Sequence, residues 1–280
     1  MSYKVKSESV KIGGDSVIAQ YTYRTTLVEG TTVTPVEEKL VFKTKTEVPK
    51  LGVMLVGWGG NNGSTLTGGI IANKCGLSWN SKEGVHKADY YGSMTQCSTV
   101  RLGLDRSGES VYVPFNSMLP MVHPNDMVIG GWDISSMNLA DSMKRAKVLD
   151  YNLQEQLAPL MQNYSPLPSV YVPSFIAANQ CERADNVLVG SKWEQIEILR
   201  KNIRDFKADN EVDKVIVLWT ANTERMCDVR DGLNESWESL KASIDRNDEE
   251  VSPSTMFAVA SILEKSSYIN GSPQNTFVPG

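Results

Sequence analysis

The chain has 280 residues, of which 28 are Lys or Arg and 33 are Asp or Glu, so its formal net charge is −5. Apolar residues make up 41% of the chain and charged residues 22%, which is ordinary for a globular protein and excludes an intrinsically disordered one. The mild acidity and the lack of a basic block argue against nucleic acid or an anionic membrane as the main partner.

The first 50 residues differ in composition from the rest of the chain. They are rich in Thr, Val, Tyr and Lys, and apolar and polar residues alternate at 17–25 and 39–43. Glycines at 13–14 and 30 offer turns. We therefore predict short antiparallel strands that form an N-terminal β-rich arm over residues 1–50, followed by a separate domain over residues 51–280.

From residue 51 the sequence has the pattern of buried strands and helices. Residues 51–56 form a continuous apolar run, which predicts a strand buried on both faces, and a helix is predicted from Ser64 to about residue 74. A second apolar run at 127–131 ends at Trp132-Asp133. One long helical stretch follows it, and Pro159 is expected to interrupt that stretch.

The second half of the chain continues the alternation. Apolar runs at 169–172 and 214–219 predict the third and fourth strands, and residues 192–208 have helical spacing. Ser252-Pro253 is a good start for a helix that runs to about residue 264. Buried strands that alternate with amphipathic helices predict an α/β fold with parallel β-α units on an open sheet.

Two segments depart from this pattern. Residues 77–124 are interrupted and rich in Gly and Tyr, and we interpret them as an insertion that covers the sheet edge or the site. Residues 272–280 end on a turn signal and carry no charged tail. We therefore expect the sequence to be the front part of a longer protein.

Membrane and metal signals are weak. No stretch approaches the about 18 consecutive apolar residues of a transmembrane helix, and the N-terminus lacks the apolar segment of a secretory signal. The cysteines and histidines form no Cys-x-x-Cys pair and no cluster, so no metal site is predicted. Widely separated thiols fit a reduced, cytoplasmic protein. The cysteines are Cys75, Cys97, Cys181 and Cys227, and the histidines are His86 and His123.

The sharpest signal is the glycine-rich turn at 57–65, which follows the first buried strand and opens a helix. Glycines allow the backbone to approach a diphosphate, and the unpaired amides and dipole of a helix N-terminus favour an anion. Ser64 or Thr65 would cap that helix or donate to phosphate. The spacing departs from Gly-x-Gly-x-x-Gly, because the last glycine is Gly63 and Asn62 takes the usual place. We interpret the turn as a phosphate-binding turn; a merely structural tight turn is the alternative. No Gly-Lys-Ser/Thr follows, which excludes a Walker-type loop.

A carboxylate that would bind ribose is expected about 20 residues after such a turn, but none is obvious there. Asp133 is better placed, since it ends the second apolar run. A carboxylate at that position would accept hydrogen bonds from ribose hydroxyls and repel a 2′-phosphate, which favours NAD over NADP. The alternative is that Asp133 caps a helix that starts near Ser135.

Two further loops follow apolar runs, where open α/β sheets place ligands. Residues 220–225 follow the fourth run, Ser169 and residues 175–180 flank the third, and Arg183 would pair with a phosphate. Turn or cap chemistry explains each loop equally well. No acid or base beside a nicotinamide is visible, and we interpret His123 as structural.

Several of these motifs together resemble a known family. In order along the chain they are residues 57–65, 92–96, 131–134, 175–180, 218–225 and 270–276. They resemble the eukaryotic myo-inositol-1-phosphate synthase (inositol-3-phosphate synthase) family, and the resemblance extends over essentially the whole chain.

The resemblance implies a modified NAD-binding Rossmann domain and, in the family, an added sheet domain that makes a homotetramer. It implies conversion of D-glucose 6-phosphate to 1L-myo-inositol 1-phosphate, the first committed step of inositol and inositol-lipid synthesis. In that reaction C5 is oxidised, the enolate formed at C6 attacks the C1 aldehyde, and the cyclic ketone is reduced again. NAD is regenerated, so the enzyme class is isomerase.

The resemblance also assigns cofactor-binding roles. It places Gly57, Gly59, Gly60, Asn61, Asn62 and Gly63 at the pyrophosphate and Asp133 at the adenosine ribose. It gives Ser169, Gln180 and Arg183 adenine-side or loop contacts, and it places Thr220, Ala221, Asn222, Thr223, Gly271 and Ser272 nearer the nicotinamide.

The chain departs from the family in length. The family's catalytic lysines, acidic pair, phosphate-binding loop and tetramerisation sheet are expected beyond Gly280, so no catalytic residue is predicted here. Three hypotheses follow. The chain is the front part of the synthase, which holds most of the NAD site; or it is a truncated NAD-binding module without catalysis; or it is an ordinary NAD-dependent dehydrogenase, which needs a base that the sequence does not show.

Overall fold

The computed structural model describes residues 4–176, 178–272 and 276–280. Residue 177 and residues 273–275, which belong to two of the motifs above, lie outside the described residues. The chain divides into two compact units, one formed by the residues up to 49 with 90–122 and the other by residues 50–89 with 123–280. The domain boundary expected at residue 50 stays a prediction.

Helices and strands follow one another along both units. The strands are β1 Val10–Gly13, β2 Ser16–Glu29, β3 Thr32–Lys45, β4 Leu51–Val56, β5 Ser78–Ser81, β6 Gly84–Lys87, β7 Thr99–Leu104, β8 Ser110–Pro114, β9 Val128–Asp133, β10 Leu167–Pro168, β11 Lys214–Trp219 and β12 Ser267–Asn270. The α-helices are α1 Asn61–Cys75, α2 Met94–Cys97, α3 Leu139–Ala146, α4 Tyr151–Met161, α5 Lys192–Asp209, α6 Trp237–Asp245 and α7 Pro253–Leu263. Short 3-10 turns lie at Phe115–Ser117, Pro124–Asp126 and Ala178–Arg183.

The first unit contains the predicted β-rich arm. Strands β1, β2 and β3 form an antiparallel sheet in that order, with turns at Gly14 and Gly30. The antiparallel strands are confirmed, but β2 and β3 have 14 residues each, longer than the short strands predicted. Pro35 lies within β3 without ending it, because β3 is an edge strand and edges tolerate proline.

The second unit is built on a five-stranded sheet in the order β10-β9-β4-β11-β12, in which every pairing is parallel. The chain passes from β4 to β9 and β10 on one side and then returns to β11 and β12 on the other. This is the 3-2-1-4-5 order of the doubly wound, Rossmann-like fold. The predicted α/β class is therefore confirmed, and the order reverses between β4 and β11.

Hydrophobic clusters on both faces of this sheet explain the continuous apolar run of β4. Met54 and Val56 belong to the cluster that contains residues of α5 and α7, whereas Val53 and Leu55 belong to the cluster that contains residues of α1, α3 and α4. Because alternate side chains of a strand point to opposite faces, both sets must be apolar. Full burial of such a side chain contributes about 1.5–3 kcal/mol to folding.

The later helices begin where the sequence predicted. Helix α5 starts after Ser191, and the Ser191 and Glu194 side chains form a reciprocal capping box. Helix α7 starts after Ser252, whose hydroxyl accepts the Thr255 amide, and Pro253 is its first residue.

Two secondary-structure predictions were wrong. The long helix after Asp133 is two helices, α3 and α4, because the chain turns at Lys147, which has a φ of 53°. Pro159 does not interrupt the stretch; it lies in the last turn of α4. The third strand is not at 169–172: β10 has only two residues, and beyond it Ser169 makes an isolated bridge to Val187. Pro168 lacks an amide that could extend the ladder.

Candidate functional site

A cleft of about 340 Å³ lies at the carboxyl ends of the central strands of the second unit. This is the edge where the strand order reverses, which is where open α/β sheets bind ligands. Most of the predicted site residues line the cleft: Gly57, Gly60, Asn61, Asn62, Asp133, Ser169, Gln180, Arg183, Thr220, Ala221 and Asn222.

The glycine turn is held tightly against the neighbouring strands. The amides of Gly57 and Trp58 both donate to the Trp132 carbonyl, at 2.8 and 2.9 Å. Gly57 has a φ of +86°, and a Cβ at this position would lie 2.9 Å from the Ala221 Cα. Only glycine fits both the backbone conformation and this close approach. The turn and the loop after β11 therefore form one continuous floor of the cleft.

The N-terminus of α1 opens towards this floor. The helix begins at Asn61 with Gly60 as its N-cap, and none of the side chains that the structure describes caps it. Its first turn carries no acidic residue. The prediction that Ser64 or Thr65 caps the helix was wrong, since Ser64 lies inside the first turn and its hydroxyl donates to the Gly60 carbonyl at 2.7 Å. The uncapped amides and the helix dipole leave a place for an anion.

Hydrogen bonds tie the turn to the loop after β11. Asn62 Nδ2 donates to the Thr220 carbonyl at 3.3 Å, and both the amide and the hydroxyl of Thr220 donate to the Val56 carbonyl at 2.9 Å. Asn62 therefore fixes the spacing between the two loops that line the cleft.

Asp133 is the last residue of β9 and also lines the cleft. Its side chain is 3% exposed, and its Oδ1 accepts from Arg183 Nη2 and from the Ser135 amide, each at 3.0 Å. Burial raises the pKa of Asp133, and the nearby Arg183 guanidinium partly offsets this rise. The helix-capping alternative was wrong: α3 begins at Leu139 and is capped by Asn138.

Comparison with known proteins shows the family of the chain. Residues 51–280 match an NAD-binding family model whose description is myo-inositol-1-phosphate synthase. The chain belongs to this family.

Other members of the synthase family match nearly all of the chain. It is 56% identical over 282 residues to inositol-3-phosphate synthase from Dictyostelium discoideum, with 99% of this chain and 55% of that protein covered. It is 58% identical over 280 residues to human inositol-3-phosphate synthase 1, with 99% and 50% covered. A crystal structure of inositol-3-phosphate synthase from Caenorhabditis elegans matches with a TM-score of 0.93 and 50% identity, covering 99% of this chain and 55% of that one. The chain spans about half the length of these relatives.

The residues present fit NAD, the cofactor of this family. The turn excludes side chains from its surface at Gly57, the N-terminus of α1 is uncapped, and a carboxylate ends β9. These are the three features by which a Rossmann-like domain receives a pyrophosphate and a ribose.

Some predicted residues do not line the cleft. A Cβ on Gly63 would come within 2.4 Å of the Trp58 carbonyl, so Gly63 packs under the turn, and one on Gly59 would lie 3.3 Å from Asp133 Oδ2. The Gly271 amide donates to the Trp219 carbonyl at 3.0 Å. Ser272 Oγ donates to the Ala221 carbonyl at 2.9 Å, and Thr223 is exposed.

Sequence reasoning missed one charged residue of the cleft. Arg145, on α3, lines the cleft, and its Nη2 donates to the Gly59 carbonyl at 2.8 Å. Burial, and then the charge of Arg183, lower the pKa of Arg145. In the sequence it is one of two basic residues in the last turn of a helix, where a cation is explained by the dipole alone. Apolar residues were missed too; the clearest is Ile134, directly after Asp133.

Proposed function

We propose that this chain is the NAD-binding part of an enzyme that converts D-glucose 6-phosphate to 1L-myo-inositol 1-phosphate. The observation that carries the proposal is the cleft at the strand-order reversal, with its glycine turn and Asp133, in a chain that is 56–58% identical to inositol-3-phosphate synthases. We further propose that it acts in the cytoplasm, as an isomerase of inositol and phospholipid biosynthesis, and as part of a homotetramer.

In this proposal, different residues of the cleft bind different parts of NAD. The amides of the turn and of α1 hold the pyrophosphate, and Asp133 accepts hydrogen bonds from the adenosine ribose. Ser169, Gln180 and Arg183 bound the adenine side. Bound NAD supplies a hydride acceptor and, once reduced, a hydride donor. Residues 220–222 contact its nicotinamide half, and Gly271 and Ser272 support that loop from behind.

The cations of the cleft limit the chemistry expected of this chain alone. Among the described residues, those that line the cleft include Arg145 and Arg183 but no lysine. An enolate and an alkoxide need cationic or acidic groups beside them. We propose that in the relatives these groups come from the half of their length that this chain does not match. The 280-residue chain then binds NAD without completing the cyclisation.

Calorimetry and an activity assay test this proposal together. The chain should bind NAD and discriminate against NADP. A version extended at its C-terminus should convert glucose 6-phosphate with NAD to inositol phosphate without net NADH. Steady accumulation of NADH would instead indicate a dehydrogenase. Binding of NAD without product by the extended version would indicate a catalytically incomplete NAD-binding module.

Asn62→Asp is expected to weaken NAD binding about tenfold or more. The change removes the hydrogen bond to the Thr220 carbonyl, places a carboxylate oxygen against that carbonyl, and adds a negative charge at the pyrophosphate. The measurement is the NAD dissociation constant by isothermal titration calorimetry.

Asn73→Asp provides a matched control on the same helix. Asn73 Nδ2 also donates to a backbone carbonyl, that of Gly69 at 2.9 Å, but it lies near the end of α1 that is remote from the turn. NAD affinity should be unchanged in this variant. Equal affinity in Asn62→Asp and wild type would remove Asn62 from the cofactor site.

A further inference from the structure

The segment just before the adenine side of the cleft is held by a residue that does not line the cleft. The Arg225 amide donates to the Phe175 carbonyl at 3.0 Å, and Arg225 Nε donates to the Ser174 carbonyl at 2.9 Å. The Arg225 guanidinium also lies over the Phe175 ring, 4.2 Å from its centroid. Phe175 itself is 2% exposed. One residue therefore fixes two consecutive carbonyls: its amide holds the Phe175 carbonyl, and its guanidinium holds the Ser174 carbonyl and the Phe175 ring.

Arg225 is itself fixed by Glu250. Its Nη1 and Nη2 donate to the two carboxylate oxygens of Glu250 at 2.8 and 2.7 Å, a bidentate pair. The Asp228 amide donates to the same carboxylate at 2.7 Å. Hydrogen bonds from Arg225 lower the pKa of Glu250 to about 2, so this carboxylate stays charged at neutral pH. The guanidinium consequently has one defined position.

The neighbouring residue anchors the same loop to α7. Glu224 is buried and accepts the amide of Ser254 at 2.9 Å and its hydroxyl at 2.5 Å. The loop after β11 is thus attached on one side to the first turn of α7. On its other side it holds the segment at Phe175 through Arg225.

This attachment positions residues that line the cleft. Ile176, which directly follows Phe175, lines the cleft, as do Gln180 and Arg183 further on. Arg183 in turn pairs with Asp133. We propose that Arg225, held by Glu250, is a positioning residue of the NAD site. It fixes the backbone of Ser174 and Phe175, and so sets Ile176 against the adenine half of the nucleotide. This inference rests on the proposed NAD site.

The same loop offers a matched control ion pair. Arg230 pairs with Asp248, and Asp248 also accepts from Arg246 Nη2 at 3.0 Å. Arg230→Gln therefore removes one ion pair from the loop but leaves Asp248 with a cation and leaves the Arg225 contacts intact.

The test compares NAD affinity and local hydrogen exchange in four proteins: wild type, Arg225→Met, Arg225→Lys and Arg230→Gln. Arg225→Met should weaken NAD binding about fivefold or more, and Arg225→Lys should give an intermediate loss, since lysine cannot make the bidentate pair. Amides at 174–176 should exchange faster in Arg225→Met without NAD, while those of α1 should not. Arg230→Gln should change neither quantity.

The outcomes separate this inference from the proposed function. If wild type binds NAD and Arg225→Met binds it equally well, the positioning role is overturned and the NAD site stands. The role is also overturned if Arg225→Met and Arg230→Gln lose affinity equally. A wild-type chain that does not bind NAD would overturn both proposals. If Arg225→Met does not fold, Glu250→Gln, which keeps the size of the side chain, should show the same loss of affinity.

Discussion

Gly57→Ala is expected to weaken NAD binding about a hundredfold and to lower the free energy of unfolding by about 2–4 kcal/mol. Two independent costs add at this position. A φ of +86° is unfavourable for any residue with a Cβ, and the new Cβ would lie 2.9 Å from both Cα and Cβ of Ala221. Rotation of a side chain cannot relieve this clash, because the new Cβ meets the backbone and the Cβ of Ala221. The turn and the loop after β11 must therefore move apart.

Because both loops line the cleft, that movement alters the site itself as well as the stability of the fold.

Gly69→Ala is the matched control, since it makes the same substitution in the helix that the turn opens. Nothing lies within 4 Å of a Cβ on Gly69. In a helix interior this change should raise the free energy of unfolding by about 0.5–1 kcal/mol. NAD affinity should not change.

Chemical denaturation and calorimetry on the two glycine variants give the answer. A Gly57→Ala protein that binds NAD like wild type would show that the turn does not contact the cofactor. If instead its affinity falls only in proportion to its unfolded fraction, the turn would have a purely structural role.

The sequence predicted those parts of the fold that local patterns determine. A strand buried on both faces needs apolar residues throughout, so β4 stood out as a continuous run, as did β11 after its exposed first residue, Lys214. Helices α5 and α7 each begin directly after a capping serine, which is a local feature of the sequence. Strand β12 was missed, because its four residues alternate between exposed and half-buried and resemble a loop.

The long stretch of chain between α1 and β9 explains why the ribose carboxylate was hard to place. In a short β-α-β unit the acid follows the glycine turn closely, whereas here the residues between α1 and β9 include the hairpin β5-β6 and a segment that belongs to the other unit. Strand β9 nevertheless pairs with β4, so Asp133 reaches the usual position by a longer route.

Contacts between distant residues were beyond sequence reasoning. Arg145 reaches the glycine turn from a helix 86 positions away, and Arg225 finds Glu250 at a separation of 25. Neither pair has a local pattern, since a single arginine on a helix or in a loop is explained equally well by solvent exposure. Only the packing of α3 on α1, and of the loop after β11 on the residues before α7, brings them together.

Asp133→Ala is expected to weaken NAD binding about fiftyfold and to lower the free energy of unfolding by about 2–4 kcal/mol. Loss of the carboxylate removes the acceptor for the ribose hydroxyls. It also leaves Arg183, whose side chain is 25% exposed, without its partner at 3.0 Å, and leaves Arg145 beside a second uncompensated cation. Two guanidinium groups without the Asp133 carboxylate beside them favour a 2′-phosphate, so the ratio of NADP to NAD affinity should rise.

Asp185→Asn is the control for a neighbouring carboxylate that does not line the cleft. Asp185 accepts from the amide and hydroxyl of Ser136 at 2.8 and 2.9 Å and is exposed. These hydrogen bonds lower its pKa, so it remains charged where Asp133 titrates. NAD affinity should be unchanged in this variant, and unchanged affinity in Asp133→Ala as well would move the ribose away from β9.

The pH dependence provides a second measurement with a defined sign. Because burial raises the pKa of Asp133, the folded chain binds this proton more tightly than the unfolded chain does. The contribution of Asp133 to stability should therefore increase as the pH falls through the raised pKa. NAD binding needs the ionised carboxylate, so affinity should decrease over the same range.

Titrations of wild type and Asp133→Asn between about pH 4.5 and 8 isolate these two effects. The difference in stability between the two proteins and the difference in NAD affinity should then change in opposite directions with pH. If both differences change in the same direction, the carboxylate acts on the fold alone. If the affinity of both proteins depends equally on pH, the ribose is bound elsewhere.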